Sequence, residues 1–222
     1  MNNKLTLLFF TLIMCTVSSA QIQYGLKAGI THSFVREMQD DNIHMNMKTG
    51  FQVGASADIP LAKNFCLRPS LQYTQKGYKA VLGGLEGPSY WYRNYSLNYL
   101  ELAADFVYNF HVGKATRIFT GAGPVAGYGL AGKGHGILRG TNGPGQVFSQ
   151  EYTTYKIFRD EGVKRFDLGV DFLTGVQFGK VAITASYNHG LVNILNYDQG
   201  LQSQKNRSFA LTVGYFINHL TF

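Results

Sequence analysis

Apolar and polar side chains alternate along eight separate stretches of this chain. In one of them Phe166, Leu168 and Phe172 share one face, and Asp167 and Asp171 share the other. Because successive side chains of a strand point to opposite faces, this period of two predicts strands with one apolar face. The predicted strands are 21–34, 51–59, 65–74, 100–108, 116–131, 166–173, 181–188 and 208–217.

The connections between these strands alternate in length. Short turns are predicted at 60–64, 111–115 and 179–180, and long connections at 35–48, 81–94, 132–164 and 191–206. An even number of strands with this alternation is typical of an outer-membrane barrel, whose short turns face the periplasm and whose long loops face outside. Strands of about 10–15 residues are long enough to cross the hydrocarbon when tilted. The pattern therefore predicts an all-β fold, an eight-stranded antiparallel up-and-down transmembrane β-barrel over residues 21–222.

A soluble calycin-type barrel is the structural alternative, and it would reverse the two faces. Its outer face would be rich in charge, because that face would meet water. Here the polar face carries mostly Gly, Ala, Ser and Thr, and charged residues make up only 15% of the chain. This composition favours the membrane barrel with a narrow, filled lumen.

The N-terminal segment predicts export. Residues 1–20 contain Lys4, an apolar run over 5–17, and small residues at Ser18 and Ala20, as in a cleaved signal peptide. A single transmembrane anchor is the alternative, but the run is shorter than the roughly 20 residues that a spanning helix needs. Cleavage would leave Cys66 as the only cysteine, so no internal disulfide is expected. The net charge of +7 would fall by one with the loss of Lys4, and in an exported chain this basic excess suits lipopolysaccharide or acidic lipid better than nucleic acid.

Several stretches carry a family resemblance. They are "YGLKAGITHSF", "GFQVGASADIPLAKNFCLRPSLQYTQKGY", "YLELAADFVYNF", "FTGAGPVAGYGL", "FDLGVDFLTGVQFGKVAITASYNHGLVNI" and "NRSFALTVGYFI". In this order they resemble the PorT-like outer-membrane β-barrel family common in Bacteroidetes. Ala103 stands where that family often has Pro, and the terminal Phe222 falls on the inward parity of the last strand. The resemblance implies an outer-membrane location and a barrel architecture, and the family takes its name from a member tied to protein secretion.

The sequence contains weak candidates for catalytic or cofactor sites. The segment "GYGLAGKG" resembles glycine-rich phosphate-binding loops, but such loops need a following helix, and "HGILRGTNGPG" is a poor helix. A Ser–His pair could act as a nucleophile, yet His32 and Ser33 differ in strand parity, as do Ser186 and His189. The six histidines show no metal-ligand spacing. We therefore expect neither a catalytic site nor a cofactor or metal site.

Charged residues on the inward face are the strongest site candidates. They are Lys27, Arg68, Lys76, Glu101, Asp105, Asp167 and Asp171, with Asp58 on the same face. The interior of an eight-stranded barrel is only wide enough to be filled by side chains, and a buried charge needs a partner. We expect a salt-bridge plug in which Arg68 reaches Asp105 and Lys76 reaches Glu101. A gated ion path or proton relay is the alternative.

The expected function follows from these features. We expect a monomeric, non-enzymatic outer-membrane protein with a role in envelope structure, interaction or assistance to secretion. Its expected partners are lipid, lipopolysaccharide and envelope or secretion-machinery proteins. The loops around 91–95 and 149–165 are the candidate binding segments, because they mix aromatics with both charge signs. A lipid-modifying outer-membrane enzyme and a soluble periplasmic carrier are the alternatives.

Overall fold

The structure is a computed structural model that describes residues 22–36, 43–82, 89–113, 115–141, 146–160, 162–195 and 204–217. The predicted signal peptide, the predicted inward position of Phe222, and part of each long connection lie outside these residues. Within them, no helix is both long and apolar enough to cross a membrane.

Nine strands and one helical turn make up the described chain. The strands are β1 (Gln23–Arg36), β2 (Ile43–Ala62), β3 (Phe65–Leu82), β4 (Tyr90–Val112), β5 (Thr116–Thr141), β6 (Val147–Thr154), β7 (Phe166–Phe178), β8 (Val181–Gly190) and β9 (Lys205–Phe216). The helical turn α1 spans Ile157–Asp160. Eight strands close into a ring in the order β1-β2-β3-β4-β5-β7-β8-β9, with β9 returning to β1, and every neighbouring pair is antiparallel. The predicted eight-stranded antiparallel barrel is confirmed.

The apolar faces of the strands point outward. Large apolar side chains around the ring are exposed, including Leu26, Phe106, Phe172 and Val213. Polar side chains at alternating positions, such as Thr212, are buried inside. This arrangement is the reverse of a soluble carrier, so the calycin-type alternative was wrong. It leaves an apolar belt that suits lipid and a polar interior that must be filled by its own side chains.

Four strands extend well beyond the predicted ones at the end that carries the long connections. β2 begins at Ile43, β3 continues to Leu82, β4 begins at Tyr90, and β5 continues to Thr141. These upper parts carry polar and aromatic residues without clear alternation, which is why the hydrophobic pattern predicted loops there. β6 pairs with the upper half of β5 and with no other described strand. Together, the upper parts of β2, β3, β4 and β5, with β6, form a five-stranded extension of the wall.

Two register shifts mark the start of these extensions. One lies in the β2–β3 pair between Met47 and Gln52, and the other in the β4–β5 pair at Asn98 and Tyr99. A bulge inserts one extra residue and so reverses which side chains face inward beyond it. A strict period of two cannot reveal such a reversal, so the facing of side chains above these points could not be predicted from the sequence.

Candidate functional site: a closed lumen and an extended rim

An ion-pair cluster centred on Asp58 fills the lower lumen, near the short turns. Arg68 donates through Nε to Asp58 Oδ1 at 2.6 Å and through Nη2 to Oδ2 at 2.9 Å. Arg117 donates through Nη2 to the same Oδ2 at 2.7 Å. All three side chains are buried, and Asp58 is completely inaccessible. One carboxylate therefore neutralises part of the charge of two guanidinium groups, and the three side chains come from three different strands.

Neutral groups complete this lower cluster. Gln177 Oε1 accepts from Arg117 at 2.6 Å, and Gln23 Oε1 accepts from it at 2.8 Å. The Arg68 guanidinium lies 4.5 Å from the centre of the Phe119 ring, a distance at which the ring face attracts a cation. Phe119 and Phe216 belong to a buried apolar group that closes this end of the lumen; its members are Cys66, Val107, Phe119, Leu173, Ala182 and Phe216.

The expected ion pair between Arg68 and Asp105 was wrong. The two residues are register partners on β3 and β4, but the guanidinium turns to the other neighbouring strand and forms a bidentate pair with Asp58. A fork-to-fork pair of this kind is stronger than a single contact. Arg117, which precedes the glycines of β5, was missing from the predicted lumen charges. Its inward parity with Phe119 and Gly121 was the available signal.

A second cluster lies higher in the lumen around Lys76. Its Nζ lies 2.6 Å from Glu101 Oε1 and 3.6 Å from Asp167 Oδ2, and it donates to Asn188 Oδ1 at 3.2 Å. Glu101 Oε2 also accepts from Gln72 and Thr74, at 2.9 and 2.7 Å. Lys76 and Glu101 thus lie in contact, as the strand order led us to expect. Lys76 and Glu101 are only 2% and 3% exposed, so bulk water does not compete with this ion pair.

Between the two clusters lies a small polar cavity. Its volume is about 30 Å³, and Lys27, Arg68 and Asp171 line it together with hydroxyl-bearing side chains. Lys27 and Asp171 form none of the ion pairs within 4.0 Å found among the described residues. A cavity of this size holds one or two water molecules. Buried side chains of the two clusters lie above and below this water-sized gap.

The upper mouth is closed by an apolar cap. α1 and the segment after β8 pack onto the inner wall; the buried residues are Val35, Tyr78, Ala80, Tyr95, Leu97, Tyr99, Ile157, Val163 and Ile194. The glycine-rich part of β5 makes room for this cap. A Cβ at Gly129 would lie 2.4 Å from the Phe158 ring, and one at Gly132 would lie 2.1 Å from Ile157 Cγ2. These two glycines thus allow close packing on the inner face.

The considered Ser–His pairs are kept apart by the strands. Ser33 is buried and exchanges hydrogen bonds with the Gly77 backbone, whereas His32 contacts Thr49 on the exposed face. His189 contacts the Tyr187 hydroxyl at 3.2 Å. Among the described residues, no group of three or more His, Cys, Asp or Glu is arranged to hold a metal ion.

The upper extension is the part of the described chain most open to partners. On and beside β6, Val147, Phe148 and Tyr155 are exposed, and Tyr155 reaches 70%. One edge of β6 pairs with β5, and its other edge has no described strand beside it. An unpaired strand edge offers backbone donors and acceptors to another chain. Residues 149–165, which the sequence predicts as a candidate binding segment, overlap this edge of β6.

Comparison with known proteins supports the outer-membrane assignment. The family model "Outer membrane protein beta-barrel domain" matches residues 18–196. No curated protein matches the sequence significantly. Solved structures similar to this chain include Ail, the attachment invasion locus protein of Yersinia pestis (16% identity, TM-score 0.41, covering 88% of this chain and 98% of that one). They also include Neisserial surface protein A (16%, 0.44, 86% and 96%) and OprG from Pseudomonas aeruginosa (10%, 0.46, 90% and 98%).

Proposed function

Because the chain belongs to the outer membrane protein beta-barrel domain family, we propose that it acts in the outer membrane as a closed, non-enzymatic barrel. Its extension above the membrane binds a partner protein. The observation that carries the proposal is the contrast between the two parts of the molecule. The lumen is filled by ion pairs and closed by apolar groups at both ends. The wall above the lipid belt, in contrast, ends in β6, which has no described strand beside its outer edge and carries exposed aromatic residues.

The mode of binding that this edge supports is strand addition. An extended peptide can continue a sheet by pairing with an exposed edge, where main-chain hydrogen bonds supply affinity and alternate side chains supply specificity. β6 offers eight residues, Val147–Thr154. The resemblance to PorT-like barrels supports a partner from the secretion machinery or its cargo. Export by cleavage after residue 20 is part of the same proposal, and N-terminal sequencing of the mature protein should then begin at Gln21.

Site-specific photo-cross-linking in intact envelopes tests the proposed partner binding. A photoreactive residue would replace Ser149 or Glu151 on β6, and a matched control would carry it at Lys63 in the short turn at the opposite end. We expect the β6 positions to capture a discrete protein and the Lys63 position not to capture it. A deletion strain should also show a changed profile of secreted proteins. Equal capture at both ends, or none, together with an unchanged profile, would contradict the proposal.

The same deletion strain separates an enzyme from a binding protein. If the barrel modified lipid A, the mass profile of lipid A would change on deletion. We expect that profile to be unchanged, because the Ser–His pairs considered lie on opposite faces of their strands. A changed profile that a wild-type copy restores would favour the lipid-modifying alternative.

A further inference from the structure

We propose that Lys48, Lys79 and Lys133 form a binding site on the outer wall of the barrel for the phosphate groups of a glycolipid in the outer leaflet. We call these three residues the lysine patch. The inference deepens the proposed function by giving the wall a lipid ligand, and it rests on the same outer-membrane orientation. It does not depend on the partner that β6 binds.

The hydrogen bonds of Lys48 place the patch on the outer face. Its Nζ donates to Asn94 Oδ1 and to Ser96 Oγ, both at 2.6 Å. Asn94 and Ser96 alternate along β4 with Tyr95 and Leu97, which are buried inside the upper mouth. Because neighbouring residues of a strand point to opposite faces, the two acceptors face outward. The Lys48 ammonium group therefore lies against the outside of the wall.

Strand register brings the other two lysines to the same place. Lys79 is the register partner of Asn94, and Lys133 is the register partner of Ser96. Directly opposed residues in an antiparallel pair share a face, with their Cβ atoms about 5 Å apart. The three cations thus come from β2, β3 and β5 and meet around two polar side chains of β4.

The register shift in β5 is what turns Lys133 outward. Below the shift the buried positions are odd-numbered, as at Val125, Gly127 and Gly129. Above it they are even-numbered, as at Gly132 and Gly134. Without the extra residue, Lys133 would face the lumen. The bulge therefore adds a cation to the outer wall just above the lipid belt.

The patch holds positive charge without a described counter-charge. Burial lowers the pKa of Lys48 most, and the nearby charges of Lys79 and Lys133 lower it further. The hydrogen-bond acceptors of Lys48 are neutral, and none of the three lysines takes part in an ion pair among the described residues. Glu151, an exposed carboxylate of the extension, contacts His135 at 3.4 Å. Like charges held together in this way favour an anionic ligand that would neutralise them.

The height of the lysine patch above the apolar wall indicates that its ligand is a lipid phosphate. The exposed apolar wall below it ends at Phe51, Leu100 and Leu130, three or four residues before Lys48, Ser96 and Lys133 along their strands. At about 3.3 Å per residue and a tilt of about 45°, this puts the patch roughly 7–9 Å above the apolar wall. Headgroup phosphates lie in this layer, because the polar region adds about 5–8 Å on each side of the hydrocarbon. Acyl chains of the same molecule would lie on the apolar wall beneath, which a free phosphate cannot do.

The test measures lipid binding to the purified, folded full chain in detergent by native mass spectrometry. The probes are lipid A with both phosphates, the same lipid A with its phosphates removed, and inorganic phosphate alone. The test variant is Lys48→Gln/Lys79→Gln/Lys133→Gln. The control variant is Arg139→Gln/Lys164→Gln/Lys205→Gln, which removes the same charge elsewhere above the membrane. Heat-modifiable migration on a gel shows that each variant is folded.

We expect the test variant to bind phosphorylated lipid A at least about tenfold more weakly than wild type, since charged contacts to phosphate are strong and each 1.4 kcal/mol is a factor of ten. We expect the control variant to bind like wild type, and dephosphorylated lipid A to bind wild type as weakly as phosphorylated lipid A binds the test variant. If the test variant does not fold, Lys133→Gln alone serves, because that side chain is exposed, and a weaker loss is expected.

Equal binding by wild type and test variant would overturn the proposal. So would an equal loss in the control variant, because the effect would then follow from net charge alone. Inorganic phosphate that binds wild type as tightly as lipid A would overturn the choice of a lipid. None of these outcomes bears on cross-linking at β6, so the failure of one proposal is distinguishable from the failure of the other.

Discussion

Replacing Asp58 with Asn should destabilise the barrel more than any single exposed charge change. The carboxylate accepts three hydrogen bonds from Arg68 and Arg117 and is completely buried. Asn would keep a similar shape but remove the negative charge, so two guanidinium groups would face each other in the lower lumen without compensation. Removing one partner of a buried ion pair costs about 3–5 kcal/mol. We expect a loss of that size in the free energy of unfolding.

The assay is a denaturant titration of the barrel folded into lipid vesicles, followed by heat-modifiable migration on a gel. The matched control is Glu151→Gln, which also removes one carboxylate, but from an exposed pair with His135. That change should cost about 0–1 kcal/mol. A double-mutant cycle of Asp58→Asn with Arg117→Gln should show a coupling of about 0.5–3 kcal/mol. If Asp58→Asn cost no more than the control and the cycle showed no coupling, the lower cluster would not stabilise the fold as argued.

Three further predictions concern the lumen. Planar-bilayer recordings should show no steady porin-like current, because protein closes the lumen above and below its cavity; a stable large conductance would contradict the closed barrel. Asp171→Asn should change the free energy of unfolding by less than about 1 kcal/mol, because Asp171 lines the cavity without an ion pair. An effect as large as that of Asp58→Asn would mean that a water molecule links Asp171 firmly to Lys27. Gly123→Ala should lower the free energy of unfolding by about 1–3 kcal/mol, since the new Cβ would lie 2.1 Å from the Ala104 carbonyl oxygen. An unchanged denaturation midpoint would show that β4 and β5 can separate at this point at little cost.

The alternation of side chains was enough to predict the barrel and the facing of its membrane part. Phe166 and Phe172 face outward and Asp167 faces inward, as the period of two requires. The partners of the inward charges were harder to predict, because a side chain in a narrow lumen can turn to either neighbouring strand or reach across. Arg68 shows this difficulty, since its register partner on β4 is Asp105 but its ion pair is with Asp58 on β2.

The upper extension could not be predicted from the pattern. The outer face of its strands lies above the lipid belt and does not need to be apolar. The alternation of apolar and polar residues therefore fades where β3 and β4 continue. The bulges near Gln52 and Tyr99 then reverse the facing. For Lys133 the sequence parity indicates the lumen, whereas the strand register puts it on the outer wall. Only the paired strands reveal that it meets Lys48 and Lys79.

The lower cluster also has a consequence for how the barrel assembles. Its contacts join residues far apart in the chain: Arg117 is 94 residues from Gln23 and 60 from Gln177. Higher up, Lys76 contacts Asn188 across 112 residues. Such contacts form late, because the chain between them must first be ordered. A nascent barrel whose β1 and β9 have not yet joined would hold these charges in an open, wet interior. Closure of that last seam is therefore the step at which water leaves the lumen, and we expect folding to be slow and all-or-none.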